Sequence, residues 1–191
     1  MVHIIALCGR QGSGKTTIAK HIELRHSYVR LRFADRLKRM LIYGLGVPEE
    51  YIDGDMKNEP CPELCGRTGR HAMRTLGTEW GRDMIHSQLW VNTLSRDIEG
   101  FQRAGITKFV IDDLRFLGEV DWLHKMKSDT VQVDIIKVER DGVAVSGHQS
   151  ECEIDAIRYD WIIYNNGSKD RVYESVDHII TVRNAGTVIL P

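Results

Sequence analysis

His3–Cys8 is an apolar run that stops at Gly9, where Gly9-Arg10-Gln11-Gly12-Ser13-Gly14-Lys15-Thr16 begins and leads into a helical pattern over Lys15–Arg25. The segment matches G-x-x-x-x-G-K-S/T at every fixed position. Its glycines let the backbone turn so that successive N–H groups face one centre, the seat of a nucleotide's β-phosphate. Lys15 is placed to reach the β- and γ-phosphates and the Thr16 hydroxyl to ligate magnesium. The following helix aims its positive N-terminal end at the same anion. A strand before and a helix after distinguish this segment from a chance glycine-rich turn.

Outward from this loop, strand and helix patterns alternate. Strands are expected at Tyr28–Phe33, Lys108–Asp113, Val131–Arg140, Asp160–Tyr164 and Thr187–Leu190. Helices are expected at Ala34–Tyr43, Gly77–Phe101, Gly118–Lys127, Glu151–Ile157 and Lys169–Ile180. Gly44–Gly69, which holds Pro48, Pro60 and Pro62, reads as an irregular insertion. Strands separated by helices imply βαβ units, a mostly parallel central sheet and an α/β class with three layers.

The chain has 191 residues, enough for one domain, and 26 basic against 27 acidic residues leave a net charge of −1. Such a balance supplies no field to draw the chain onto nucleic acid or an anionic membrane. The longest stretch without Asp, Glu, Lys or Arg, Met84–Ser95, falls short of the roughly 20 apolar residues a membrane span needs. The N-terminus lacks the basic run of a signal peptide, so the expected address is the cytoplasm and the four cysteines are expected as thiols. Cys61 and Cys65 have no second close pair to complete a zinc site.

A phosphate-binding loop needs an acid to organise the magnesium shell, and Phe109-Val110-Ile111-Asp112-Asp113 supplies two at a strand end. Asp113 and Arg115 are two apart and project to one face of an extended segment. Two acceptor chemistries stay open. A hydroxyl acceptor wants a carboxylate base, for which Asp35 is the candidate, although an acid there also suits a helix N-terminus. A phosphate acceptor wants several cations, and Arg67, Arg70, Arg74 and Arg82 lie between Gly66 and Arg82, where a solvated face explains them equally well. A third reading is a nucleotide-binding switch or a nucleic-acid-stimulated ATPase, against which the absence of a basic stripe argues.

Five further segments bring a family into view. Arg74-Thr75-Leu76-Gly77-Thr78-Glu79-Trp80-Gly81-Arg82 resembles the "LGTE–x–GR" segment of bacteriophage-type deoxynucleoside monophosphate kinases, in the adenylate-kinase-like P-loop group. In order along the chain, Phe33-Ala34-Asp35-Arg36-Leu37-Lys38 is similar to "FADPLK", Asp113-Leu114-Arg115-Phe116-Leu117-Gly118-Glu119 to "DVRFPNE" and His148-Gln149-Ser150-Glu151 to "HxSE". Asp160–Ser168 resembles the last strand and adenine-side loop of small-molecule kinases. Arg36 replaces the family's usual proline, and Leu117-Gly118 its Pro-Asn.

The resemblance implies a P-loop NTPase fold with an inserted monophosphate-binding region (about residues 44–101) and a short lid (about 140–152) in one domain spanning residues 1–191. It implies transfer of the ATP γ-phosphoryl to a deoxynucleoside 5′-monophosphate, with magnesium, in a homodimer that binds neither nucleic acid nor membrane. Gly12, Ser13, Gly14, Lys15, Thr16 and Thr17 become donor-phosphate residues, and Asn165 and Asn166 fall near the adenine. Thr16, Asp112 and Asp113 become the metal-side candidates. Asp35, Lys38, Arg67, Arg70, Arg74, Glu79, Trp80, Arg82, Asp113, Arg115, His148 and Glu151 become acceptor-side candidates. Lys15, Arg115 and Arg140 become the catalytic cations, Arg140 from the lid.

Overall fold

The computed structural model describes residues 1–143 and 153–185. Its strands are β1 (Val2–Cys8), β2 (Val29–Leu31), β3 (Lys108–Leu114), β4 (Val131–Glu139) and β5 (Trp161–Tyr164). Its α-helices in chain order are α1 (Lys15–His26), α2 (Asp35–Arg39), α3 (Gly69–Arg74), α4 (Leu89–Arg103), α5 (Leu117–Met126) and α6 (Lys169–Asn184). The chain divides into two compact units: Met1–Arg32 together with the residues from Ile98 onward, and Phe33–Asp97.

The first unit is a parallel sheet in the order β2-β3-β1-β4-β5. Ile4–Cys8, Phe109–Ile111 and Val133–Ile136 are buried without the alternation of a half-exposed strand, as a sheet covered on both faces requires. On one face, Ile18, Ala19 and Ile22 of α1 and Val172, Val176 and Ile180 of α6 close over Ile5, Leu7, Ile136 and Val138. Each such buried Ile, Leu or Val stabilises the fold by about 1.5–3 kcal/mol. The register of β1 against β3 slips, Ala6 pairing with Ile111 but Cys8 with Leu114. The extra residue of this bulge falls at Asp112-Asp113 and re-aims side chains at the strand's end.

The second unit has its own core of Leu41, Val47, Ile52 and Cys61, packed by Tyr51, Leu64, Met73 and Leu76. As the proline-rich composition predicts, its first half is irregular, with 3₁₀ turns at Glu49–Tyr51, Asp55–Asn58 and Pro62–Leu64. Thr68 then caps α3 by accepting the His71 N–H at 3.1 Å. The π-helical segment Thr75–Ile85 follows.

The periodicity between Gly77 and Phe101 predicts one helix, and the structure has two segments. The backbone at His86 is extended, its N–H bonds back to the Gly81 carbonyl at 3.0 Å, and its ring Nδ1 accepts the Gln88 N–H at 3.1 Å. That ring-to-backbone bond favours a turn, and α4 starts afresh at Leu89. Likewise the helix expected at Ala34–Tyr43 is α2 followed by a π-helical turn, Met40–Gly44. The strand expected at Tyr28–Phe33 shortens to Val29–Leu31, the stretch that pairs with Phe109–Ile111. Of the helix expected at Glu151–Ile157, the described part is a 3₁₀ turn at Ile154–Ala156. The strand expected at Thr187–Leu190 lies outside the described residues. Among the described residues no helix is long and apolar enough to cross a membrane.

Candidate active site

In the sheet unit the candidate residues stand just past, or within, the carboxyl ends of the strands. Gly9 follows β1, Asp112 and Asp113 end β3 with Arg115 just beyond, Arg140 follows β4, and Asn165 follows β5. In an open parallel sheet this end is where ligands bind.

At its two ends, Gly9 and Gly14, the loop is held against its neighbours too closely to admit a Cβ. A Cβ at Gly9 would stand 2.3 Å from the Val138 carbonyl oxygen. At Gly14, where φ is +103°, it would stand 2.2 Å from the Asn165 amide nitrogen, and that nitrogen donates to the Ser13 carbonyl at 2.8 Å. Gly14 is also the N-cap of α1 and offers no side-chain acceptor, so the first-turn amides are left for a ligand. No acid stands in that first turn. An anion is the group these amides and the helix dipole suit.

Lys15 is buried, and its ammonium donates to the carbonyls of Gly9 (2.5 Å) and Arg10 (2.8 Å), bending back over the loop. Thr16 and Thr17 face solvent. Both carboxylate oxygens of Asp112 are buried without a hydrogen-bond partner, although the residue is only 4% exposed. A buried charge in that condition costs several kcal/mol unless a cation or donor joins it. Asp112 and the Thr16 hydroxyl are therefore oxygen donors fit for a hard divalent cation. Asp113 is half-buried. Next to the loop, a cleft of about 190 Å³ is lined by Gly9, Arg10, Ser13, Lys137, Arg140 and Asp155.

Arg115 owes its position to a residue the sequence reading gave no role. The buried Glu119 carboxylate accepts the N–H groups of Arg115 (2.9 Å) and Phe116 (3.1 Å), fixing the turn into α5. Glu153 accepts the Leu117 N–H at 2.8 Å. The acid three residues inside a helix start was a usable signal. Arg10, also unassigned from sequence, pairs with Asp155 at 2.9 Å. Asn166, expected near adenine, bonds Asp141 through both its amide nitrogen (2.9 Å) and its oxygen (2.8 Å, from the Asp141 N–H). Burial pushes the Cys8 thiol up to about 11 against the opposing charges of Lys15 and Lys137, which leaves it unreactive at neutral pH.

The inserted unit carries Asp35, Lys38, Arg67, Arg70, Arg74, Glu79, Trp80 and Arg82. Asp35 stands in the first turn of α2. Lys38 is paired with Asp53, and Arg70 Nε donates to the Asn58 side-chain Oδ1 at 2.6 Å. Arg67, Arg70 and Arg74 are exposed. The glycines of the Gly77–Gly81 stretch serve close packing. The Gly77 carbonyl accepts the Trp90 indole N–H at 2.7 Å, and a Cβ at Gly81 would meet the Trp90 ring at 2.6 Å. Trp80 lines a cleft of about 740 Å³ with Arg36, Arg39, Tyr43, Trp90 and Arg96. Of its three arginines the sequence marked only Arg36, as the replacement for the family's proline; Arg39 and Arg96 lie on two distant segments and gave no local signal. His148 and Glu151, with most of the expected lid, lie outside the described residues.

No family model matches the chain. The chain is 28% identical to a protein of Acanthamoeba polyphaga mimivirus named "Putative deoxynucleotide monophosphate kinase", over 91% of this chain and 93% of that one. Dephospho-CoA kinase from Campylobacter jejuni superposes with a TM-score of 0.53 at 11% identity, covering 96% of this chain and 98% of that one. A crystal structure titled "a putative kinase", from Chloroflexus aurantiacus, gives 0.54 at 13% identity and covers 97% and 98%. The structural likenesses show the fold, and the viral relative spans almost the same length. The chain thus has the fold of these solved kinases and is similar over nearly its whole length to the viral protein.

Proposed function

We propose that the chain transfers the γ-phosphoryl group of ATP to a deoxynucleoside 5′-monophosphate, releasing ADP and the diphosphate. The observation that carries this reading is the pairing of the Lys15 loop with the orphaned Asp112 carboxylate at the strand ends, in a chain homologous to the viral protein so named. The acceptor phosphate is ionised at neutral pH and needs no base. One of its oxygens bonds to the γ-phosphorus as the bond to the β–γ bridging oxygen breaks, and that oxygen leaves on ADP. The chain's work is positioning and neutralisation of charge.

Loop amides and Lys15 hold the donor's β- and γ-phosphates. Thr16 and Asp112 are the residues to hold magnesium, which when bound neutralises phosphate charge. Arg115, set by Glu119, and Arg140 are the cations proposed to meet charge developing on the transferred group. On the acceptor side the proposal takes Asp113 and, from the inserted unit, Glu79, Trp80 and Arg82, with Arg67, Arg70 and Arg74. In the inserted unit the Trp80 indole shares one cleft with Arg36, Arg39 and Arg96, a lining that suits a phosphorylated heterocycle.

Arg115→Ala and Arg82→Ala are expected to lower kcat/KM for the monophosphate while leaving KM for ATP within twofold. A lost charge-assisted phosphate contact is worth about 1.5–3 kcal/mol, roughly 10- to 150-fold. Steady-state kinetics with each substrate varied in turn checks this, and unchanged acceptor kinetics in both variants removes these arginines from the site.

A further inference from the structure

α1 runs from the phosphate loop to the opposite end of the sheet unit, where its last turns meet α6. There His21 Nε2 lies 2.7 Å and His26 Nε2 2.6 Å from one oxygen, Oδ1 of Asp177. All three ligating atoms lie within 4.8 Å of one another. The rings are mostly buried, at 16% and 19% side-chain exposure, while Asp177 opens to solvent at 37%. His21 is stacked flat on Tyr173, the centroids 4.0 Å apart and the planes 3° from parallel, so its orientation is fixed by packing. Nothing in the phosphoryl-transfer reading uses these residues.

We propose that His21, His26 and Asp177 form a binding site for a divalent transition-metal ion of the zinc class. Two imidazole nitrogens and one carboxylate oxygen are the donor set that zinc, cobalt and nickel accept, whereas magnesium and calcium favour oxygen alone. Metal–ligand lengths near 2.0–2.2 Å set tetrahedral ligand–ligand edges at about 3.4 Å. The two histidine–Asp177 contacts need to open by about 0.7–0.8 Å, a movement that ring and carboxylate rotations provide. Each neutral imidazole would ligate through an unprotonated Nε2, its single ring proton residing on Nδ1. Solvent completes the fourth position, since Asp177 is the exposed member. The bound ion ties the C-terminal end of α1 to α6, whose apolar faces already pack together through Ile18, Ile22, Val172 and Val176. Its expected effect is on the stability of the sheet unit, not on phosphoryl transfer.

The test is titration of the chelator-stripped full chain with Co²⁺ at neutral pH, read by ligand-field absorption and by thermal melting, with Zn²⁺ as competitor. The proposal expects saturation at one equivalent, a rise in melting temperature, displacement by Zn²⁺ and indifference to millimolar Mg²⁺. His26→Gln and Asp177→Asn, each checked as folded in chelator, are expected to weaken Co²⁺ binding tenfold or more. Cys65→Ser, which changes an exposed thiol elsewhere, is expected to leave it unchanged. Absence of saturable binding below about 1 mM, or binding that survives both ligand substitutions, overturns the proposal and leaves the cluster as a hydrogen-bonded stitch between two helices.

Discussion

Lys15→Ala is expected to lower phosphoryl transfer by roughly 10²–10³-fold, the cost of removing one preorganised donor from a developing anion. In the structure the Lys15 ammonium is buried and held by the Gly9 and Arg10 carbonyls, so it is positioned before any nucleotide arrives. Alanine removes that charge and leaves both carbonyls without this donor. The loop's own shape is set elsewhere, by the closeness of Gly9 to Val138 and by the Asn165–Ser13 bond. The variant is therefore expected to stay folded, which separates loss of chemistry from loss of structure. Initial rates at saturating ATP, with a melting curve on the same sample, check the expectation. A variant retaining near wild-type turnover contradicts the assignment of the loop.

The second large effect lies far from the chemistry. Asp134, fully buried in β4, accepts from His3 Nε2 (2.9 Å), Trp161 Nε1 (3.0 Å) and Gln132 Nε2 (3.2 Å), and pairs with Arg183 at 2.6 Å. The Tyr28 hydroxyl lies 2.6 Å from His3 Nδ1, completing a relay in which Tyr28 donates to His3 and His3 to Asp134. Burial works to raise the Asp134 pKa, but the His3 and Trp161 hydrogen bonds and the Arg183 charge together hold it below the ordinary carboxylate value. Burial, with the nearby Asp134 charge, also raises the Tyr28 pKa well above that of a free tyrosine, which keeps its hydroxyl a donor.

Asp134→Ala strands the His3 donor in the interior, removes the acceptor of the partly buried Trp161 and Arg183, and is expected to cost about 3 kcal/mol of stability at neutral pH. Because the folded pKa is depressed, this stabilisation is complete above the unfolded value of about 3.9 and is lost as pH falls through the lower folded value. The gap between wild type and variant should thus narrow only in strong acid. Urea unfolding midpoints at neutral pH and at successively lower pH measure it. Equal midpoints at neutral pH contradict the account.

What the sequence disclosed, and what it hid, follows from the range of each interaction. Glycines at Gly9, Gly12 and Gly14 are demanded by local backbone geometry and phosphate size, so the loop is legible letter by letter. All five parallel strands were legible, β1, β3, β4 and β5 from runs rich in apolar residues, as a doubly covered sheet demands, and β2 from the alternation at Tyr28–Phe33. The split of the helix expected at Gly77–Phe101 was not legible. A 3.6-residue template is blind to π-helical winding at Thr75–Ile85, and the His86 turn uses neither glycine nor proline. Asp134 was not singled out: it is one acid within the Val131–Arg140 strand pattern, and its partners at His3, Trp161 and Arg183 come from three other segments. For the same reason His21, His26 and Asp177 meet only once α1 and α6 pack. Between Asp112 and Asp113 the sequence offered no choice, and it is the strand bulge that buries the first while leaving the second half-exposed.

The central claim is the reaction itself. The measurement that tests it most directly is product analysis after incubation with ATP and magnesium, using dAMP, dGMP, dCMP, dTMP and their ribose counterparts as acceptors. The account predicts that at least one deoxynucleoside monophosphate becomes its diphosphate, mole for mole with ADP. Folded, ATP-binding protein that phosphorylates none of them contradicts it.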